Sequence, residues 1–116
     1  MRGARELPFR VPESAILSQI MQYLYYINGG YFWRQNTGAM PIDREGQPRR
    51  YFRAGTPGCS DIVGVYKGRF IACEVKASDG RLSELQERFM DRVREAGGIA
   101  FVARDVQDVI DELAKV

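Results

Sequence analysis

The amino-acid sequence predicts a single mixed α/β domain in which helices flank a sheet. Helical and extended hydrophobic patterns alternate along the chain in the order α-β-loop-β-β-α-β-α. The chain has 116 residues, close to the usual size of one domain. Apolar residues make up 45% of it and charged residues 28%, as expected for a chain with one core. Without internal repeats or a composition boundary, residues 1–116 are predicted to form one domain.

The first half of the chain predicts one helix, one strand and a long loop. Residues 1–11 show no periodicity and are expected to form a flexible arm. From Pro12, a residue suited to a first helical turn, apolar residues recur at helical spacing, and residues 28–30 end the helix. The aromatic residues 31–35 are typical of a strand. Residues 37–58, rich in glycine, proline and charge, are predicted to form a long polar loop, functional or mobile.

The second half of the chain predicts a hairpin, two helices and a further strand. Residues 61–66 and 69–76 are strand-like and meet at Lys67-Gly68, a two-residue turn signal. Residues 99–103 are a short apolar strand, and Asp105 caps the last helix. A helix that begins at Ser83 is predicted between the hairpin and this strand. Its apolar face carries Leu82, Leu85, Phe89 and Val93.

Composition narrows the chemistry that the chain can perform. The sequence contains no histidine, which excludes histidine–metal sites and histidine general bases. Cys59 and Cys73 are too far apart for a zinc motif, and we expect two reduced thiols. No apolar run reaches the roughly 18 residues of a membrane span, and the basic N-terminus lacks the apolar segment of a secretory signal. We therefore expect a cytoplasmic protein that works through carboxylates, lysine, tyrosine or cysteine.

Basic residues cluster in the predicted loop, although the net charge is only +2. Arg49, Arg50 and Arg53 fall in one polar stretch and are candidates for contacts with DNA phosphates. A solvated basic loop without a partner explains them equally well.

The predicted hairpin brings acidic residues together. If Lys67-Gly68 is the turn, Asp61 lies directly opposite Glu74, with Cβ atoms about 5 Å apart. Strand alternation puts Lys76 on the same face, whose other members are apolar, namely Val63, Val65, Phe70 and Ala72. A one-residue slip in register would remove Asp61 from this face.

Two opposed carboxylates beside an apolar face are unfavourable unless their charge is compensated. A divalent cation between Asp61 and Glu74 would compensate it, and Mg²⁺ or Mn²⁺ prefers such oxygen ligands. Lys76 would then stand near the attacked phosphate and the attacking water. A surface salt-bridge cluster, in which Lys76 neutralises both acids, explains the spacing equally well.

Two further polar residues fall on apolar helix faces. Glu13 lines up with Ile16 and Ile20 on the predicted buried face, which suggests a third carboxylate for the site, although an acid in the first turn also suits the helix dipole. Gln86 shares the apolar face of the second helix and is expected to point at the sheet. A capping box with Ser83 also explains Gln86, and spacing alone slightly favours the cap.

Asp61 followed by residues 74–76 (Glu-Val-Lys) resembles the PD-(D/E)XK nuclease signature. The longer context resembles the VRR-NUC family from about residue 13 to residue 101. The matching motifs are PGCSDI at residues 57–62, GRF at 68–70, EVK at 74–76, GRLS at 80–83, Gln86, and ESAI at 13–16. Ser60 departs from the general signature, which has proline before the aspartate.

The resemblance implies a restriction-endonuclease-like PD-(D/E)XK core, as in the stand-alone members of bacteriophages and bacteria. It also implies a Mg²⁺- or Mn²⁺-dependent DNA endonuclease, with Holliday-junction-like or otherwise structure-selective cleavage. Glu13, Asp61 and Glu74 would be metal-site carboxylates and the Val75 carbonyl a further ligand. Lys76 would be the catalytic lysine. Gln86 would support the active site, which shifts the balance away from a role in capping alone.

The family commonly forms homodimers, and we expect one here because a junction enzyme makes two related cuts. The aromatic run before the loop is one candidate pairing surface. Core packing is the favoured role for most of its members, Tyr23, Tyr25, Tyr26, Tyr31, Phe32 and Trp33.

Three other functions remain open from the sequence. A restriction-type endonuclease is disfavoured because the chain has little room for a base-reading domain. A non-catalytic DNA-binding or assembly module of the same fold is disfavoured because Asp61, Glu74 and Lys76 are all present. A plain α/β interaction domain remains if the hairpin register is wrong.

Overall fold

The computed structural model describes residues 10–35, 39–42, 45–48, 50–53 and 55–116, without the side chains of residues 39–42 and 50–53. This part of the chain contains α1 (Glu13–Tyr26), β1 (Gly30–Arg34), β2 (Ala39–Ile42), β3 (Arg50–Arg53), β4 (Ile62–Tyr66), β5 (Arg69–Val75), α2 (Glu84–Glu95), β6 (Ile99–Ala103) and α3 (Val106–Leu113). Its helices are all too short or too polar to cross a membrane. The predicted arm, residues 1–11, lies outside the described residues except for Arg10 and Val11.

The main sheet has the strand order β1-β4-β5-β6. β1, β4 and β5 pair antiparallel, whereas β6 lies parallel to β5, with α2 as the crossover connection. This mixed sheet with helices on both faces confirms the predicted α/β class.

The β4–β5 hairpin has the register that its turn residues predict. Lys67 and Gly68 both have positive φ, 49° and 80°, as a tight turn of the hairpin type requires. Tyr66 pairs with Arg69, and the register then runs without a slip to Ile62 opposite Cys73. Continuing by one residue sets Asp61 opposite Glu74.

One face of the sheet is covered by two helices. Ile16, Ile20 and Leu24 of α1 are spaced four apart, so they share one face of the helix and are buried together. They pack against α3 and against the residues of β4, β5 and β6 that point to this face of the sheet. The cluster includes Ile62, Ile71, Cys73, Val75, Phe101, Ala103, Val109 and Leu113. α3 begins at the predicted cap, where the Asp105 side chain accepts a hydrogen bond from the Asp108 amide.

In the part of the chain that the structure describes, the opposite face carries α2 alone. Met90 of α2 is buried against Val63, Ala72 and Ala100. A helix is about 10 Å wide and strands lie about 4.8 Å apart, so one helix covers roughly two strands of a sheet. α2 lies over β5, β6 and the first residues of β4, and among the described residues the part of this face at Tyr31, Val65 and Phe70 is left open.

This half-covered face corrects several expectations about burial. Val65 and Phe70 were expected on a core-facing surface but are exposed, because α2 does not reach over them. Leu85 of α2 was expected on the apolar face of its helix and is also exposed. Core packing is also wrong for four of the six aromatic residues before the loop. Tyr23 and Phe32 pack against the core, whereas the exposed members are Tyr25, Tyr26, Tyr31 and Trp33.

The prediction of a loop over residues 37–58 is wrong for two segments. β2 and β3 pair antiparallel as a separate two-stranded sheet, with Ala39 opposite Arg53 and Ile42 opposite Arg50. The many prolines, glycines and charged residues of this region predict a loop. Short strands can still form there, because main-chain hydrogen bonds alone can pair them. Arg50 and Arg53 are the first and last residues of β3, and Arg49 lies outside the described residues.

Candidate active site

Asp61 immediately precedes β4 and is fixed against β5. Its Oδ2 accepts a hydrogen bond of 2.9 Å from the Val75 amide. Its main-chain carbonyl accepts one of 2.8 Å from the amide of Gln35, just beyond β1. These two bonds tie Asp61 to both neighbouring strands, so its carboxylate is held beside Glu74.

The turn that leads into Asp61 is pressed against the start of α2. The Cys59 amide donates to the Thr56 carbonyl over 3.1 Å, which closes the turn. Gly58 in this turn has φ +73°, and a Cβ atom built there would lie 2.2 Å from the Leu85 carbonyl oxygen. Only glycine allows this approach, which brings the Asp61 segment next to the first turn of α2.

Glu74 is the buried acid of the site. It lies in β5, its residue is only 2% exposed, and its Oε2 has no hydrogen-bond partner. Burial, followed by the side-chain contact with Asp61 and the Asp61 charge, raises the pKa of Glu74 to about 8; the Lys76 charge opposes the rise, and Glu13 adds a smaller contribution. An unpaired buried carboxylate oxygen is unfavourable, so Oε2 is a candidate atom for binding a ligand.

Gln86 makes both contacts that its position in the sequence suggested, one in the cap of α2 and one with the sheet. Its Oε1 accepts from the Ser83 amide over 2.8 Å, and its own amide donates to Ser83 Oγ over 3.2 Å, which completes the capping box. Its Nε2 donates to Glu74 Oε1 over 3.2 Å. Because Oε1 is bound to the cap, the amide can present only its NH₂ group to Glu74.

Lys76 follows β5 and is partly buried. Its amide donates to the Ala103 carbonyl over 3.1 Å, so pairing with β6 continues past the end of the strand. A Cβ atom built at Gly80 would lie 3.2 Å from Cβ and 3.3 Å from Cδ of Lys76. The missing side chain at Gly80 therefore leaves room for the lysine stem, and the ammonium charge is close enough to lower the pKa of Glu74.

Glu13 contributes to the site only from its edge. It is the first residue of α1 and is exposed, which corrects its predicted placement on the buried helix face. The buried stripe begins one turn later, at Ile16, and Glu13 is in the first turn of the helix. The charge of Glu13 still helps to raise the pKa of Glu74.

Asp61 and Glu74 are the residues best placed to hold a divalent cation. Within the described ranges, no three acidic, cysteine or histidine residues are gathered closely enough to hold a metal on their own. The pair nevertheless offers the hard oxygen donors that Mg²⁺ or Mn²⁺ prefers, and the buried Glu74 Oε2 is unpaired. The donor set therefore fits such an ion, with further ligands from main-chain carbonyls, water or substrate.

Two residues next to Asp61 were not predicted as part of the site. Ser60 is fully buried, and its Oγ has no hydrogen-bond partner. Cys59 is partly buried, and burial, followed by the charges of Glu74 and Asp61, raises the pKa of its thiol. Their position directly before Asp61 is the only feature of the sequence that could have indicated a place in the site. Spacing alone does not assign a function to a serine or a cysteine there.

The family model of the VRR-NUC domain matches residues 12–107 of the chain. That segment includes all five predicted catalytic side chains, which are Glu13, Asp61, Glu74, Lys76 and Gln86. No curated protein matches the chain.

Proposed function

This chain belongs to the VRR-NUC domain family, a nuclease family of the PD-(D/E)XK type, and on that premise we propose that it is a divalent-metal-dependent DNA endonuclease. We further propose that it prefers branched, Holliday-junction-like DNA and acts as a homodimer. A nuclease domain implies DNA binding, and the finer statements are proposals about this particular chain.

One observation carries the proposal. Glu74 is buried, its Oε2 is unpaired, and Asp61 lies beside it. A folded chain that needed Glu74 only for stability would have paired its second carboxylate oxygen with a donor as well. A site that binds Mg²⁺ or Mn²⁺ keeps oxygen atoms available for the ion.

The remaining side chains then have definite tasks in phosphodiester hydrolysis. Bound Mg²⁺ or Mn²⁺ would polarise the phosphoryl oxygen and lower the pKa of the attacking water. Asp61, fixed by the Val75 amide, and Glu74, fixed by Gln86, would hold that ion. Lys76 would donate to the phosphate oxygens and offset the negative charge that grows in the transition state.

The proposal also includes contacts with the DNA backbone and a dimer. Arg49, Arg50 and Arg53 would contact phosphates and position the DNA without reading its sequence. A symmetric dimer would supply two active sites for the two cuts of a junction. A monomer by light scattering that cleaves junctions at the full rate would refute the dimer.

Cleavage of labelled four-way-junction, flap, single-stranded and duplex DNA tests the proposal, in Mg²⁺, Mn²⁺ or EDTA. We compare the wild type with Asp61→Asn and Lys76→Ala. Asp91→Asn and Lys115→Ala are matched controls, since both residues are exposed and lie in surface ion pairs. We expect metal-dependent cutting that both site variants lose by at least about 100-fold and both controls retain.

Each other outcome supports a different function. Retained DNA binding with no cleavage of any substrate would support a non-catalytic binding or assembly module. Cleavage of duplex DNA at a fixed sequence would support a restriction-type endonuclease. Cutting in EDTA at the same rate would refute the metal-dependent mechanism.

A further inference from the structure

A strip of exposed apolar side chains lies on the part of the sheet face that α2 leaves open. We define this aromatic strip as Tyr31 and Trp33 of β1, Val65 of β4 and Phe70 of β5. Tyr31 is opposite Val65 and Val65 is opposite Phe70, so they form one cross-strand row on the α2 side of the sheet. Tyr31 is 73% exposed and Trp33 is 39% exposed. A contiguous exposed patch of large aromatic side chains is typical of a surface that binds a ligand or a partner.

Trp33 is held in place and connected to the candidate active site. Its Nε1 donates to Gln35 Oε1 over 3.2 Å, and the Gln35 amide donates to the Asp61 carbonyl over 2.8 Å. Its ring centroid lies 5.6 Å from that of Tyr31, with the planes tilted by 46°. The polar edge of the indole is thus satisfied, and the strip leads along β1 directly to Asp61.

We propose that Trp33 and Tyr31 are a stacking platform for unpaired nucleobases of the DNA strand that enters the active site. This inference rests on the proposed function and adds a substrate class to it, namely DNA with unpaired bases next to the scissile phosphate. Aromatic rings bind bases by stacking, irrespective of sequence, and only bases outside a duplex offer a free face. A ring fixed by a hydrogen bond loses little entropy when a base stacks on it.

The position of the strip favours DNA over a second copy of the chain as its occupant. Trp33 is joined to Asp61 through one intervening residue, Gln35. A protein chain packed over Trp33 would therefore also crowd the approach to Asp61, which the substrate must reach. A DNA strand can occupy both places at once, because it is the molecule that is cut.

Trp33 is the single tryptophan of the chain, so intrinsic tryptophan fluorescence reports on the platform alone. We titrate the full chain carrying Lys76→Ala, in Mg²⁺, with 12-nucleotide oligothymidylate and with a blunt duplex of the same length. We expect saturable quenching by the single strand and little change with the duplex. Dye-labelled oligonucleotides give the affinities independently by anisotropy.

Variants separate stacking from other contributions to binding. Trp33→Ala and Tyr31→Ala should each weaken binding of the single strand about tenfold and of the duplex less than about twofold. Trp33→Phe, which keeps a ring, should lose less than Trp33→Ala. Tyr25→Ala is the matched control, because Tyr25 is 82% exposed and lies near the other end of α1 from Glu13, and it should bind like the parent chain.

Several results would overturn the platform. Absent binding of the single strand, binding without quenching, or unchanged affinity in Trp33→Ala would each do so. A change in tryptophan emission with protein concentration, in the absence of DNA, would instead assign the strip to a second copy of the chain.

The platform and the proposed nuclease can fail separately. Wild-type cleavage with an unchanged preference for unpaired DNA in Trp33→Ala would refute the platform and leave the nuclease standing. Quenching by the single strand in a wild-type chain that cuts nothing would do the reverse.

Discussion

The buried carboxyl of Glu74 predicts that the metal-free protein loses stability as the pH rises from 5 to 8. Its pKa is about 8 in the folded chain against an ordinary value of 4.5. Between these values the folded state keeps a proton that the unfolded chain has released. Folding is therefore favoured at low pH, and the free energy of unfolding falls as the pH rises through this window.

The size of the effect follows from the same shift. One pKa unit corresponds to about 1.4 kcal/mol, which sets a ceiling of about 5 kcal/mol for a group shifted from 4.5 to about 8. Solvent reaches the neighbouring Asp61 and Lys76 and screens part of this energy. We expect the free energy of unfolding to fall by about 2–3 kcal/mol between pH 5 and pH 8.

Urea unfolding in EDTA at pH 5, 6.5 and 8 measures this loss. Glu74→Gln keeps the size and the hydrogen-bonding shape of the side chain but removes the titrating group. The variant should show little of this pH dependence and should be more stable than the wild type at pH 8, by about the same 2–3 kcal/mol. Glu95→Gln, at an exposed position in the last turn of α2, is the matched control and should follow the wild type.

Two results would refute this reasoning. One is a wild-type free energy of unfolding that stays constant or rises between pH 5 and pH 8 in EDTA. The other is a Glu74→Gln variant that keeps the wild-type pH dependence. Either would mean that Glu74 is ionised in the folded chain at low pH and is solvated better than its burial indicates.

Three further predictions concern the same site. At pH 8, Mg²⁺ at about 100 times its Kd should raise the free energy of unfolding of the wild type by about 2.7 kcal/mol and leave that of Glu74→Gln unchanged; equal stabilisation of both proteins would place the ion elsewhere. Ser83→Ala should cost about 1 kcal/mol in urea unfolding and also lower kcat, because the cap no longer fixes the Gln86 amide; a full kcat in the folded variant would limit Ser83 to capping. Gly58→Ala should cost more than about 2 kcal/mol because its Cβ meets the α2 backbone, whereas Gly97→Ala, also at positive φ but with free space, should cost only about 1 kcal/mol; equal losses would show that the α2 contact is relaxed.

The sequence was sufficient to predict the hairpin that builds the site. The turn residues Lys67 and Gly68 determine the register, and the register determines that Asp61 and Glu74 meet. Helix α1 and the caps of α2 and α3 also followed from local signals, because capping depends on residues only three or four positions apart.

The exposed half of the sheet could not be predicted from hydrophobic alternation. Val65 and Phe70 alternate like core residues, and whether a face is covered depends on how many helices pack over it. Two helices cover one face of this four-stranded sheet and one covers the other, which is a property of the connections between elements. The same limit applies to Glu13, which is in line with the apolar stripe of α1 but is exposed.

The spacing of Asp61 and Glu74 left two interpretations open, a metal site and a surface salt-bridge cluster, and the structure favours the first. A salt-bridge cluster would require Lys76 to neutralise the acids, and an adequate counter-charge would hold the pKa of Glu74 at or below its ordinary range. Lys76 does lower the pKa of Glu74, but burial and Asp61 outweigh it, and the pKa stands at about 8. The positive charge that the described residues place near this pair is therefore too small to compensate it. That deficit, together with the unpaired Oε2 of Glu74, favours a site completed by a cation over a surface ion cluster.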